Sequence, residues 1–531
     1  MSNMITSYLY HSPKGGARRG LSLLLVLALS FAAQAQDSYT NERLTNSSSD
    51  VIGTARYVGM GGALGALGAD ISVISWNPAG IGLYRKNDIA LTFGGLWGKS
   101  YINEENRGKG TFDQAGFVYN IKKDSESWPY VNFAFNYQKK INFNHNFYAD
   151  NPNLGGLSQM DELSQLTEFY KPIDDGTSYN LTELVLSNNK DGLFFDKDGL
   201  YNPYRSYGNY YTHHSTGALQ SFDFNLSTNL SNRAFLGLTV GIDNMHYRGW
   251  TDYYEVGEGG YGLNDYDIRV SGTGVNVKLG GIVRPFGDSP FRVGFAVETP
   301  TWYRLKRSSY FYFYDTDGMK TPDGHSYLRY KLRTPWKVRA SIGSTVGSVL
   351  AWDVDYEYAA YGSTKMGYPN YEDSWKGNTK DMDMNQLTRD NLRGTHTLRV
   401  GLEANATKNL AFRLGYNLST SAYKKNISFD QYNLNSYAMD HSSNTSYMRM
   451  GTTNILTLGM GYRWKNFYID LAYKLRNQYG YFYAFDTNYT NFNTGDPVFL
   501  GNNIDLADRT IDPVDVNLTR HAITCTMGFK F

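Results

Sequence analysis

Glycine, histidine and arginine are the residue types whose spacing in this sequence suggests chemistry. Gly59, Gly61, Gly62, Gly65 and Gly68 fall in one short run. Glycines so spaced can cradle a dinucleotide phosphate, but only behind a buried strand and inside a βαβ unit. Residues 46–50 are polar and no strand–helix alternation follows, so the run reads as backbone that something else approaches closely. His213 and His214 are adjacent; on an extended chain neighbouring side chains point oppositely, which makes them poor joint ligands. No cysteine, carboxylate or histidine spacing completes a metal set, and neither metal nor cofactor is expected. There is no G-x-S-x-G elbow and no H-E-x-x-H, so no enzyme chemistry is expected. Arg339, Arg399, Arg413 and Arg463 fall on the polar phase of alternating segments. There they could receive a carboxylate head group, or pair with residues such as Asp353, Glu403 or Asp470, as buried charges usually do.

Those segments dominate the chain. In 352–358, Trp352, Val354, Tyr356 and Tyr358 share one phase and Asp353, Asp355 and Glu357 the other. Leu410, Phe412, Leu414, Tyr416 and Leu418 alternate with Arg413 and Asn417, and Phe467 to Leu475 alternate likewise around Asp470 and Lys474. Period 2 says that one face is buried. Fourteen such segments are read at 88–101, 112–122, 130–148, 219–230, 234–248, 266–285, 291–312, 327–346, 349–361, 394–406, 410–423, 452–464, 467–483 and 518–531. Tight connections alternate with long ones, as in an antiparallel barrel with short periplasmic turns and long outer loops. The last segment ends on Phe529 and Phe531, which are expected to close the barrel; Cys525 looks outward as a small apolar residue.

Composition agrees. Aromatics make 15% of the 531 residues, with 45 Tyr, 28 Phe and 54 Gly, the mixture that strands and aromatic girdles need. A mean hydropathy of −0.48 excludes a helical membrane protein. A net charge of +1 offers no basic face for nucleic acid. Lys14, Arg18 and Arg19, the apolar run from Leu21 and Ala33-Gln34-Ala35 form a signal peptide over residues 1–35. The apolar run from Val58 stops at Asp70, short of the ~20 residues a membrane helix requires. In the longest connection Leu157, Met160, Leu163, Leu166 and Phe169 recur at three-residue steps. They predict a short amphipathic helix, either packed on its own loop or serving as a landing site for ligand.

Ala55-Arg56, Gly59-Met60-Gly61-Gly62-Ala63, Asp70 and then Trp76-Asn77-Pro78-Ala79-Gly80-Ile81 resemble the start of the FadL/TodX family of outer-membrane transport proteins for hydrophobic compounds. The resemblance covers about thirty residues. It implies an N-terminal hatch inside a 14-stranded barrel: hatch 36–87, with Gly59, Gly61, Gly62, Asn77, Pro78, Ala79 and Gly80 as its gate, and barrel 88–531. The expected fold is thus an all-β, antiparallel transmembrane β-barrel of the bacterial outer membrane with a hatch in its lumen. The expected function is passive uptake of a small hydrophobic ligand, such as a long-chain fatty acid or hydrocarbon, through an apolar lumen. Outer-membrane lipids and the barrel-assembly machinery are the other expected partners, and the protein is expected to be a monomer. Similar FadL-like barrels also serve type IX protein secretion, and a surface receptor or adhesin would use the same barrel.

Overall fold

The computed structural model describes residues 50–99, 105–159, 206–257, 260–287, 289–314, 324–369, 379–425, 446–485, 499–500, 504–505 and 511–531. The expected signal peptide, residues 36–49, and Met160, Leu163, Leu166 and Phe169 lie outside them.

The chain forms a closed antiparallel barrel of 14 strands. They are β1 (Asp88–Lys99), β2 (Glu105–Lys122), β3 (Tyr130–Asn142, continued by His145–Asn151), β4 (Ser206–Leu230), β5 (Ala234–Gly257), β6 (Gly260–Val283), β7 (Arg292–Glu298 and Trp302–Tyr314), β8 (Gly324–Arg333 and Lys337–Val346), β9 (Leu350–Ala360), β10 (Gly394–Asn405), β11 (Leu410–Ser419), β12 (Tyr447–Trp464), β13 (Phe467–Tyr483) and β14 (Val514–Lys530). Each pairs with the next. The ring closes between β1 and β14, from Asp88 opposite Lys530 to Lys99 opposite Thr519. Just beyond the ladder, Asn87 and Phe531 exchange backbone hydrogen bonds of 3.0 and 3.1 Å.

Alternation sets the two faces as the sequence predicts. Tyr356, Tyr358, Phe412, Leu414, Ile469 and Leu471 stand on the outside, while Asp353, Asp355, Arg413 and Asp470 are buried within. An exterior of this kind suits lipid, and the alternation leaves the interior polar. Among the described residues no helix is long and apolar enough to cross a membrane. Ile523 and Met527 face outward on β14, and the Phe529 ring packs 4.6 Å from Phe467 and 5.6 Å from Phe531. Phe529→Asp with Phe531→Asp would place two charges on this apolar face beside the closing seam. Outer-membrane fractions should then hold several-fold less heat-modifiable barrel, and undiminished levels would remove these rings from any part in closure.

The structure differs from the sequence reading at the long-loop end. β4, β5 and β6 run for 25, 24 and 24 residues, far beyond the ~9–11 that span a membrane. Most of what reads as loop at 249–265 is therefore a continuing hairpin, and 206–218 is strand. Outside the bilayer the outward face no longer has to be apolar, so a search for apolar alternation stops too early. His213 and His214 lie on β4 rather than in a loop, and they do point oppositely. His213 is buried against Thr251 Oγ1 (2.7 Å) and Tyr247 Oη (3.2 Å), and His214 stacks on Trp250. The connection expected over 362–393 contains a helix, α1 (Met382–Asn391), whose N-cap Asp381 accepts from Met384 N.

β7 and β8 are interrupted at one height by Pro300 and Pro335. Proline gives the ladder no N–H. The two strands stay joined there through Thr334 N to Thr301 O (3.1 Å) and Thr301 N to Thr334 Oγ1 (2.8 Å).

Candidate functional site in the barrel lumen

Residues 50–84 lie against the inward side chains of the strands, and Ala55, Met60, Ala63, Leu64, Ala66, Val73, Ala79 and Ile81 are fully buried. Their path is folded by local capping. Thr54 caps the helical turn Ala55–Gly59 by accepting from Tyr57 N, and its hydroxyl donates to Asp70 at 2.8 Å. Asp70 caps the 3-10 turn Ile71–Ser75 through Ser72 N. Asn77 caps the turn Pro78–Leu83 by accepting from Ala79 N, and its Nδ2 donates to Gly65 O at 2.8 Å. Pro78 supplies the φ that the first position of such a turn needs. Gly61 and Gly62 have φ of +64° and +79°, a region that side chains disfavour.

The wall is shaped to this path by its own glycines. A Cβ on Gly415 would stand 2.0 Å from Gly61 N, and one on Gly401 would stand 2.5 Å from Met60 O. A Cβ on Gly237 would meet Pro78 C at 2.3 Å, and one on Gly280 would meet Asn77 Oδ1 at 2.1 Å. These strand glycines are positions of close packing against the segment that the sequence reading missed. The available signal was a glycine in the inward phase of otherwise regular strands, as in Leu414-Gly415-Tyr416.

Polar contacts complete the seat. Asp355 accepts from Leu64 N (3.2 Å) and Gly65 N (3.1 Å), and Asp353 from Ala66 N (3.0 Å) and Leu67 N (2.7 Å). Four consecutive backbone donors thus face two carboxylates on one strand. Arg292 Nη1 donates to Leu67 O, Ser227 Oγ to Pro78 O, Thr457 Oγ1 to Gly59 O, and Ala55 N to Thr526 Oγ1. Arg56 reaches Glu403 at 2.9 Å, and Glu403 is shared with Arg413 at 2.7 Å.

The four arginines read as head-group candidates have different fates. Arg413 is consumed by Glu403 and Asp470 (2.6 Å). Arg339 pairs with Glu298 and Glu357 and donates to Trp76 O at 3.0 Å. Arg463 is exposed at the short-turn rim. Arg399 donates to Tyr57 Oη (2.7 Å) and Gly62 O (3.3 Å) and stacks 3.6 Å over the Trp76 ring, over which Arg339 also lies, at 4.5 Å. Arg399 Nε and Trp76 Nε1 are buried without a hydrogen-bond partner among the described residues.

Both line a cavity of about 120 Å³ between the segment and the wall. Its sides include Tyr57, Ile141, Leu219 and Tyr303, and it reaches the proline break at Thr301, Thr334 and Pro335. The wall is not the apolar lumen expected from sequence. Lys140 with Asp243 (2.7 Å) and Arg339 with Glu357 also border the space. The reason is the alternation itself, which puts polar residues inside when apolar ones face lipid. Apolar surface gathers instead at the long-loop end, where Phe147, Leu154, Leu157, Tyr211, Met448, Phe482 and Phe485 form one buried cluster. Leu157, read as a possible landing residue, is packed within it.

No family model and no curated protein matches the chain. Several solved structures do. The chain is 11% identical to the P. putida toluene transporter TodX, over 91% of this chain and 99% of that one, with a TM-score of 0.47. To a Pseudomonas aeruginosa FadL homologue the identity is 12%, over 90% and 98%, with a TM-score of 0.49. To the Ralstonia pickettii toluene transporter TbuX it is 13%, over 91% and 99%, with a TM-score of 0.45.

Proposed function

We propose that the protein is a passive channel of the bacterial outer membrane for hydrophobic compounds, in which residues 36–87 are a hatch and 88–531 the barrel. The observation that carries this reading is the seat: glycines of the wall stand opposite Gly61 and Pro78, and polar bonds rather than covalent ones hold the segment. A segment so held can exchange its bonds for water or for cargo, and a ligand moves it by the difference in affinity for the two states. The apolar cluster behind the long loops is where a hydrophobic cargo would first leave water, gaining roughly 25 cal/mol per Å² buried. Arg399 and Trp76 offer N–H donors to a polar end on that cargo.

Uptake of a labelled long-chain fatty acid and a labelled hydrocarbon by deletion and complemented cells tests the reading. Deletion should abolish saturable uptake of at least one. Normal uptake with secreted proteins left uncleaved would overturn it in favour of a secretion partner. Gating has its own test. Asn77→Ala with Pro78→Ala removes a cap and the bond to Gly65 O, a loss of about 1–3 kcal/mol for buried polar groups. Uptake per folded barrel should fall several-fold while heat-modifiable barrel stays near parental amounts. Equal uptake per barrel would leave the segment as packing alone.

A further inference from the structure

We propose that the outer wall of the barrel carries a binding site for the phosphate groups of a membrane lipid, at the long-loop end of β11 to β13. It rests on the outer-membrane placement proposed above and not on what crosses the lumen. The ladder is broken there. β11 pairs with β12 only as far as Ser419 opposite Thr453, and β12 carries a register shift between Met450 and Thr453. Past that point residues 420–425 turn toward β10, where Arg393 N donates to Ala422 O. Among the described residues only side-chain donors bridge the gap to β12: Ser421 Oγ to Met450 O at 2.6 Å and Arg449 Nη1 to Lys425 O at 3.0 Å.

The notch is lined by Arg393, Lys424, Lys425, Arg449, Tyr479 and Tyr481. Three of its four cations are held in place by neutral groups. Arg393 Nε donates to Ser421 O, Lys424 Nζ to Arg389 O, and Arg449 lies 5.1 Å over the Tyr481 ring. Among the described residues none of the four makes an ion pair with a carboxylate. Among the described residues Asp515 is the one acidic member of the lining and is exposed, so the described lining carries a net positive charge. Buried in the lumen, Arg339 and Arg413 show the opposite habit, each taking two carboxylates. Four like charges gathered against a single carboxylate that pairs with none of them call for an anion from outside, and guanidinium with ammonium groups suit phosphate oxygens.

The notch also lies at a height where lipid phosphates would be found. Tyr479 and Tyr481 stand outward on β13, and Tyr447 stacks on Tyr483 at 4.4 Å. Outward tyrosines of this kind form the girdle at a membrane–water interface. Further down the same strands the outward residues are Leu456, Leu458, Leu471 and Ile469, which suit acyl chains. A lipid with its phosphate in the notch would lay its chains on that surface.

Native mass spectrometry of the folded, full-length barrel in neutral detergent tests this, with bis-phosphorylated lipid A, dephosphorylated lipid A and inorganic phosphate as probes. Bis-phosphorylated lipid A should be retained at about tenfold lower concentration than the dephosphorylated form, and Lys424→Ala, Lys425→Ala and Arg449→Ala together should remove that advantage. Asp515→Asn should strengthen retention, a gain that loss of folding could not mimic. Equal retention of both lipids, or an unchanged preference in the triple variant, would overturn the proposal. Displacement of the lipid by an equal concentration of inorganic phosphate would reassign the notch to the free ion and overturn its assignment to lipid. Fractionation reads the underlying placement separately: a folded barrel recovered outside the outer membrane fails that reading whatever the lipid results.

Discussion

Gly415→Val unseats the N-terminal segment while the barrel stays closed. The added Cβ would stand 2.0 Å from Gly61 N and 2.3 Å from Met60 C. Both are backbone atoms, so no side-chain rotation relieves the overlap. Gly61 cannot yield readily either, because its φ of +64° is fixed by the turn that brings Gly62 N to Tyr57 O. Overpacking of this kind costs about 1–3 kcal/mol or more where neighbours cannot move. The ladder is indifferent to the change, since Gly415 pairs with Gly401 and Thr457 through backbone alone and valine suits strands. The expected result is parental abundance of heat-modifiable barrel, a large rise in small-solute leakage, and protease cleavage within residues 50–84 of detergent-solubilised protein. Gly281→Val is the control, because a Cβ at that position has no contact closer than 3.8 Å. Parental leakage and protection in Gly415→Val would mean that the segment does not depend on this seat.

Glu403→Gln should act by charge instead of volume. Glu403 accepts from Arg56 on the segment and from Arg413 on β11, and its side chain and that of Arg413 are almost wholly buried. Removing one member of such a pair costs about 3–5 kcal/mol, because the remaining charge is left buried without compensation. Glutamine keeps the size but leaves two guanidinium groups around a neutral amide. Arg413 retains Asp470, whereas among the described residues Arg56 retains as hydrogen-bond partners only the carbonyl oxygens of residues 68 and 69. The loss therefore falls on the segment, and its release should lower the denaturant midpoint of segment protection without shifting that of the barrel. Arg56→Gln with Glu403→Gln should recover part of the loss. If the double variant is as exposed as the single, the pair does not hold the segment.

The barrel was legible because lipid outside and polar groups inside impose one period on every strand, and Trp352 to Tyr358 is enough to phase a strand by eye. What sequence could not give was pairing between strands. Whether Arg413 meets cargo or a carboxylate depends on register, which sets Glu403 directly opposite it on β10. Arg339 likewise faces Glu357 across β9. The Asn77-Pro78 turn was readable from its chemistry, but its seat was not, since Gly237, Gly280 and Gly415 lie far apart in sequence and are silent until the wall is built. The continuation of β4 and β5 above the bilayer escaped for the converse reason: the rule that revealed the strands applies only where there is lipid.

The clasp between Asn87 and Phe531 has a kinetic consequence. The first and last rungs are neighbours, so the ring can shut only when the whole intervening chain has been made and aligned. Contacts of that sequence separation are slow to form, and until they do both β1 and β14 present unpaired backbone that invites other strands. Residues 50–84 lie inside the finished ring, and their path must be enclosed as it shuts or threaded afterwards past the short turns. Enclosure is the simpler course. The nascent sheet would then wrap around a segment already gathered by Thr54, Asp70 and Asn77, and variants of the seat would lengthen closure time as well as loosen the segment in the finished ring.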